Sequence, residues 1–236
     1  MTEEVKRGYV ITDREQFGEA KLSLLKKAQQ ELLYLLERGY PVKSASTFVG
    51  NHYLLSERQR LALVRATAER DRVRERLDKC LSGPLHGQEV FIDGLNLIIT
   101  LEVALSGSTL IRCMDGTLRD LAGLRGTYRL IDKTAPAILL IGDKLQDLGV
   151  SKATFYLDAP VSNTGRLKTL LLELLGTYPF EVMVELVVNP DALLRELGNV
   201  VTSDAIILNH CKSYLNLAYE ILTSRLPEVR YIDLGA

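Results

Sequence analysis

Four aspartates each follow a short run of β-type residues: Asp93 after 90–92, Asp115 after 109–114, Asp158 after 154–157 and Asp204 after 200–203. If these runs are parallel strands of one sheet, the four carboxylates share its carboxyl edge, where open α/β sheets bind ligands. Grouped carboxylates repel one another unless a counter-charge joins them, and a hard divalent cation such as Mg²⁺ or Mn²⁺ is the usual one. Such a cation can activate water and stabilise a phosphoryl transition state. A plainer reading stands beside this one. An Asp after a strand also caps the next helix, as Asp204 would before Ala205-Ile206-Ile207.

The neighbours add donors. Asn96 follows Asp93 by three residues in "FIDGLNLI", and Gly94 permits a sharp turn between them. The Asn96 amide can hold a metal-bound water or a phosphate oxygen, or it can cap the helix that starts near Leu97. After Asp158, "APVSNTGRL" puts Ser162, Asn163 and Arg166 at a helix start that suits an anion, though the spacing of a Walker loop is absent. Glu102, inside the apolar "LIITLEVAL", is either another acid of the site or the partner of an Arg. An unpaired buried charge is costly, which favours the Arg. "RCMDGTLRDL" carries the Asp-Gly-Thr-Leu of haloacid-dehalogenase-type phosphatases, but Cys113 stands where the nucleophilic Asp belongs. A thiol cannot form an aspartyl-phosphate, so that chemistry ranks last.

The elements that must position these groups change character near residue 88. Before it the pattern is helical: one helix over 15–38, stopped by Gly39 and Pro41, a connector over 42–55, and a second helix from a Ser56 cap to about 81. After it, strands (89–92, 109–114, 153–157, 181–188, 200–202 and 230–232) alternate with helices (95–105, 135–148, 165–178, 191–197 and 205–226). This predicts a helical region over 1–87 and a three-layer, Rossmann-like α/β domain over 88–236 with a mainly parallel sheet. Arg58, Arg65, Arg72 and Lys79 recur every seven residues on the second helix. That stripe fits a phosphate backbone, or else a solvated face balanced by Glu57, Glu69, Asp71, Glu75 and Asp78. Arg119, Arg125 and Arg129 form a second basic set.

Composition limits the function classes. Of 236 residues 47% are hydrophobic and 25% charged, and the net charge is −1, so affinity for nucleic acid must come from a local patch. Aromatics are 6% and Trp is absent, which speaks against an aromatic base-stacking surface. The start, MTEEVKRGYV, has no apolar core of a signal peptide, and no apolar run is long enough to span a membrane. Cys80, Cys113 and Cys211 form no CxxC pair, which points to the cytoplasm and away from a disulfide framework or a Cys-based zinc site.

"VFIDGLNLI", the later strand-end Asp158 and "VVTSDAIIL" resemble the PIN-like nucleases, in particular their NYN branch. Over about 88–236 the resemblance implies a PIN-like α/β fold, bound Mg²⁺ or Mn²⁺ and RNA cleavage. Asp93, Asp158 and Asp204 would bind metal, with Asn96 and Ser203 in support. Asp115 has no fixed counterpart, which leaves the second acid open. The whole chain also resembles an uncharacterised archaeal and bacterial family, through "RGYPVKSASTFVGNHYLL", "RQRLALVRA", "IDGLNLIITLE", "DGTLRDLAGLRGTYR" and "LDAPVSNTGRL".

The expectation is therefore a metal-dependent ribonuclease or phosphodiesterase. Asp93, Asp115, Asp158 and Asp204 would hold the cation, with Asn96 beside them. Ser162, Asn163, Ser203, Arg58, Arg65, Arg72, Arg119 and Arg166 would face phosphates. RNA is the expected partner and a membrane is not, while assembly of identical copies stays open. The alternative is a non-catalytic RNA- or nucleotide-binding protein on the same fold.

Overall fold

The structure, a computed structural model, describes residues 5–123 and 126–235, so Arg125 lies outside the described residues. The helical region comprises α1 (Asp13–Gln16), α2 (Glu19–Leu36), α3 (Val42–His52), α4 (Glu57–Ala66) and α5 (Arg70–Lys79). In α2 the buried Leu25, Ala28, Leu32 and Leu36 follow the helical period and make one apolar stripe. The expected connector over 42–55 is largely helical. Pro41 sets the start of α3, and Gly50 does not break it. The Arg60 guanidinium lies against that glycine, where a Cβ would be 2.5 Å from its Nη1 and would displace the end of this flexible side chain. Ser56 caps α4 in a reciprocal capping box with Gln59. The single helix expected from Ser56 to about 81 is two. Thr67 turns extended, and the Ala66 carbonyl accepts from Met114 N instead of from the next helical turn.

The α/β region continues with β1 (Glu89–Asp93), α6 (Gly94–Leu105), β2 (Leu110–Arg112), β3 (Leu118–Asp120) and α7 (Thr134–Leu148). Then come β4 (Lys152–Asp158), α8 (Thr164–Leu175), β5 (Glu181–Val187), α9 (Pro190–Leu194) and β6 (Val200–Val201). The last elements are α10 (Ala205–His210), β7 (Tyr214–Leu215), α11 (Leu217–Arg225) and β8 (Ile232–Asp233). Five strands form a parallel sheet in the order β5-β4-β1-β6-β7. Its core contains residues of α6, α7, α8 and α11 on one face. A smaller apolar cluster, with Leu194, Ile207, Leu208 and Tyr214, covers the other face through α9 and α10. The fold is thus a three-layer α/β arrangement.

Two expected strands of the main sheet are elsewhere. Residues 110–112 pair antiparallel with β3 and parallel with β8 in a separate sheet. The turn between β2 and β3 is made by Asp115-Gly116, with Gly116 at φ +77 and Asp115 accepting from Thr117 N. The apolar positions Ile111, Cys113, Leu121 and Leu234 pack with α2, α3 and α4, so this small sheet shares a core with the helical region. The helix expected over 205–226 is also divided. Val200 N donates to the Ser213 carbonyl, which draws Tyr214-Leu215 into the main sheet beside β6.

The order of the main sheet fixes where a ligand can enter. From β1 the chain moves outward through β4 to β5, then crosses back to lay β6 and β7 on the other side of β1. The reversal falls between β1 and β6, and a crevice opens there at the carboxyl ends of the strands.

Candidate functional site: an acidic crevice beside an arginine cleft

Asp93 closes β1 and Thr202-Ser203-Asp204 follow β6, so the two sides of the reversal carry these groups. Asp93 stands at the N-cap position of α6 but makes no side-chain cap bond. Its carboxylate is turned toward β6, where Thr202 Oγ1 donates to Oδ2 at 2.8 Å. Burial raises the Asp93 carboxyl to about 7 against the Thr202 hydrogen bond, helped by the charges of Asp204, Asp191 and Asp158. Gly94 lets α6 start close to β4, since a Cβ there would sit 2.5 Å from Leu157 Cδ2 and 3.2 Å from the Tyr156 carbonyl oxygen. Gly94→Ala is expected to cost about 1–3 kcal/mol by overpacking, read as a lowered urea midpoint.

Asn96 does not cap its helix by side chain. Its Oδ1 accepts from Ser203 N at 3.0 Å and Ser203 Oγ at 2.9 Å, tying α6 to the end of β6 across the crevice. Asp204 fills the capping role foreseen for it, with Oδ1 accepting from Ile206 N and Ile207 N. Its charge nevertheless reaches Asp93 and Asp191. Asp158 ends β4, and its carboxyl is raised by burial.

Asp191, which the sequence reading passed over, joins this group. It lies in the first turn of α9, after Asn189-Pro190, with Asn189 capping through Ala192 N. Burial raises its carboxyl, the charges of Asp204 and Asp158 add to the effect, and Arg195 opposes it. The signal was present: Asp191 follows β5 as Asp158 follows β4, displaced by the length of a Pro-initiated helical turn. The acidic group is therefore Asp93, Asp158, Asp191 and Asp204. No group of three or more His, Cys, Asp or Glu side chains among the described residues is placed to hold a metal ion directly.

Asp115 does not stand beside Asp93. It lies in the turn of the second sheet, 1% exposed, where Arg76 Nη1 and Arg119 Nη2 reach its Oδ2 at 2.6 and 2.7 Å. Burial alone would raise this carboxyl, but Arg119, Thr117 and Arg76 outweigh it and hold it below the usual carboxylate range. The adjoining Cys113 thiol is pushed up to about 11 by burial, which leaves it protonated at neutral pH and ill-suited as a nucleophile.

The basic stripe is dispersed, because α4 and α5 are separate helices. Arg58 pairs with Asp13 and donates to the Leu121 and Gly8 carbonyls. Arg72 pairs with Glu75 on the surface, and Lys79 donates to the Leu208 and Asn209 carbonyls. Arg65 faces a cleft of about 280 Å³ that Arg76, Arg119, Asn96, Ser203 and Asp204 also line. Arg119 Nε donates to the Ser203 carbonyl at 2.7 Å, which anchors the loop that carries Asp204. Asn163 takes a left-handed conformation (φ +65) before α8, and its side chain donates to the Tyr128 carbonyl, while Ser162 and Arg166 are exposed. Arg129 is exposed, with its carbonyl taken by Arg7. Glu102 is fully buried and takes the Arg partner: Arg7 Nε at 2.8 Å, with Tyr128 Oη at 2.6 Å.

These features define an α/β protein with a crevice at the reversal point of a parallel sheet, with carboxylates at the strand ends and arginines in the adjoining cleft. The chain belongs to the family described as a domain of unknown function, DUF5616, whose model matches residues 82–220. A second model, described as a protein of unknown function, DUF434, matches residues 24–79. Uncharacterized protein MJ0935 of Methanocaldococcus jannaschii is 34% identical over 186 residues, covering 78% of this chain and 88% of the relative. No solved structure matches significantly. The families matched are those of unknown function, and a PIN-like family is not among them. No helix among the described residues is long and apolar enough to cross a membrane.

Proposed function

We propose that the chain is a phosphodiesterase of the ribonuclease type, dependent on Mg²⁺ or Mn²⁺. One observation carries this reading: Asp93, 7% exposed, ends β1 at the reversal of the sheet, with Asp204 following β6 across it, Asp158 ending the neighbouring strand β4 and Asp191 following β5. Four acids so placed repel one another, and a divalent cation relieves that cost. The residues do not fit a cage of three direct ligands. They fit the habit of Mg²⁺, which keeps several waters and takes one or two carboxylates, and Asp93 and Asp204 would supply them. When bound, the cation supplies an activated water and charge neutralisation at a phosphate. The chain's own groups do the rest. Thr202 orients Asp93, Asn96 ties Ser203 across the crevice, and Asp191 and Asp158 would supply acceptors for the cation's waters.

The test is incubation of the purified protein with single-stranded RNA and Mn²⁺. Cleavage is expected, with complete loss in Asp93→Asn and at least a tenfold loss in Asp191→Asn, a factor that corresponds to about 1.4 kcal/mol of barrier. Undiminished cleavage in Asp93→Asn overturns the proposal. The spread of the acids and the arginine lining of the adjoining cleft also favour a second reading, a protein that binds RNA or nucleotide without turnover. It predicts salt-sensitive binding and intact RNA with either cation.

A further inference from the structure

The cleft beside the acids is lined by three guanidiniums, those of Arg65, Arg76 and Arg119, whose N–H groups its carboxylates do not all engage. Arg76 is 4% exposed and the Arg119 side chain 11%, and both depend on the single carboxylate of Asp115. The third guanidinium, Arg65, has Asp120 as its carboxylate partner at 3.7 Å. Three guanidiniums thus share two carboxylates. Asp204 lines the same cleft and its charge acts on Arg119 as well as on Asp93 and Asp191, but its Oδ1 is held by the amides of α10 and it is in no ion pair with these arginines. Desolvated arginine charge is costly unless an anion completes it.

Donors remain for such an anion. Arg76 uses Nε and Nη2 on Asn209 Oδ1 and Nη1 on Asp115. Arg119 uses Nε on the Ser203 carbonyl, Nη1 on the Arg65 carbonyl and Nη2 on Asp115. A guanidinium carries five N–H groups, so each keeps two. Planar guanidinium forks match the oxygens of a phosphate. The cleft, about 280 Å³, has room for a phosphate with its ribose. Asn96 and Ser203 belong to both the cleft wall and the acid crevice, so an anion held here lies next to Asp93 and Asp204.

We propose that this cleft binds the phosphoryl group of a nucleotide or of single-stranded RNA, through Arg65, Arg76 and Arg119. The placement of hydrolysis beside it rests on the ribonuclease reading, but the binding does not. The source of the phosphoryl group is read from its affinity. Inorganic phosphate, adenosine 5′-monophosphate, adenosine and a hexanucleotide RNA are titrated calorimetrically into the full chain at low salt with EDTA. Saturable binding of the monophosphate and the RNA, with none of adenosine, is expected. Phosphate binding as tightly as the monophosphate identifies the free ion as sufficient, and weaker phosphate binding identifies the nucleotide.

Arg65→Gln is expected to weaken binding of the monophosphate about tenfold, the value of one charge-assisted hydrogen bond, and Arg65→Lys to restore part of it. Arg72→Gln, in the exposed pair, should bind as the wild type does. Equal affinity in Arg65→Gln, binding of adenosine as tight as that of its monophosphate, or no saturable binding overturns the proposal. Binding that persists alongside a failure to cleave RNA overturns only the ribonuclease reading. Cleavage with an unaltered KM in Arg65→Gln overturns only the phosphoryl site.

Discussion

Asp93→Asn is expected to abolish RNA cleavage and at the same time raise the thermal midpoint, by on the order of 10 °C at pH 8 and by little at pH 4. The stability half of this result follows from proton linkage. The Asp93 carboxyl sits at about 7 in the folded chain, raised by burial and like charges, against an unfolded value near 3.8. Folding therefore takes up a proton between these values. Stability falls as pH rises through that window, and the loss is complete above about 7. At roughly 1.4 kcal/mol per unit, the ionised group costs about 4 kcal/mol, and a chain of this size moves about 2–4 °C per kcal/mol. Asparagine cannot ionise, so the variant escapes the cost while losing the charge a cation needs. Differential scanning calorimetry of both proteins from pH 4 to 8 checks this. A midpoint difference that does not change with pH would show that Asp93 is not held under electrostatic strain. Mn²⁺ should raise the wild-type midpoint at pH 8 and leave that of the variant unchanged.

Asp115→Asn is expected to destabilise the protein by about 3–5 kcal/mol, since it strands two buried guanidiniums. The amide can still accept from Thr117 in the turn, so the loss isolates the charge. In the wild type the lowered carboxyl contributes stability above the ordinary carboxylate range and loses it as pH falls through the folded value. Exposed pairs are screened by salt and this one is not, so the deficit should persist in 1 M NaCl. Urea unfolding at low and high salt measures it, with Arg72→Ala as the exposed comparison. A loss that vanishes in salt would assign the pair to the surface class.

Much of this was legible in the sequence because it is written in short range. The alternation of strand and helix after residue 88 gives β1, β4, β5 and β6 nearly to the residue, and with them Asp93, Asp158 and Asp204 at one edge. Ser56 and Asp204 announce their caps by type and position. What sequence does not show is which sheet a strand joins. Residues 110–112 have the apolar pattern of a buried parallel strand, and only their packing against α2–α4 makes them part of another layer. That one misplacement carried Asp115 into the wrong site. The seven-residue spacing of basic residues failed for a similar reason, since a tertiary hydrogen bond from Met114 ends α4 where no Pro or Gly signals a stop. Asp191 was hidden by distance along the chain rather than by chemistry.

The parallel pairing of β8 with β2 sets an order of events during synthesis. Leu234 completes the apolar cluster of α2–α4, and Gln29 of α2 donates to its carbonyl oxygen. Ile111, Cys113 and Leu121 cover part of this apolar face earlier, but the helices gain their last neighbour only when the segment past 230 arrives, more than 160 residues after Ala66. Contacts closed over so long a loop are slow to form. A ribosome-bound fragment of this chain presents a surface that the finished molecule never shows.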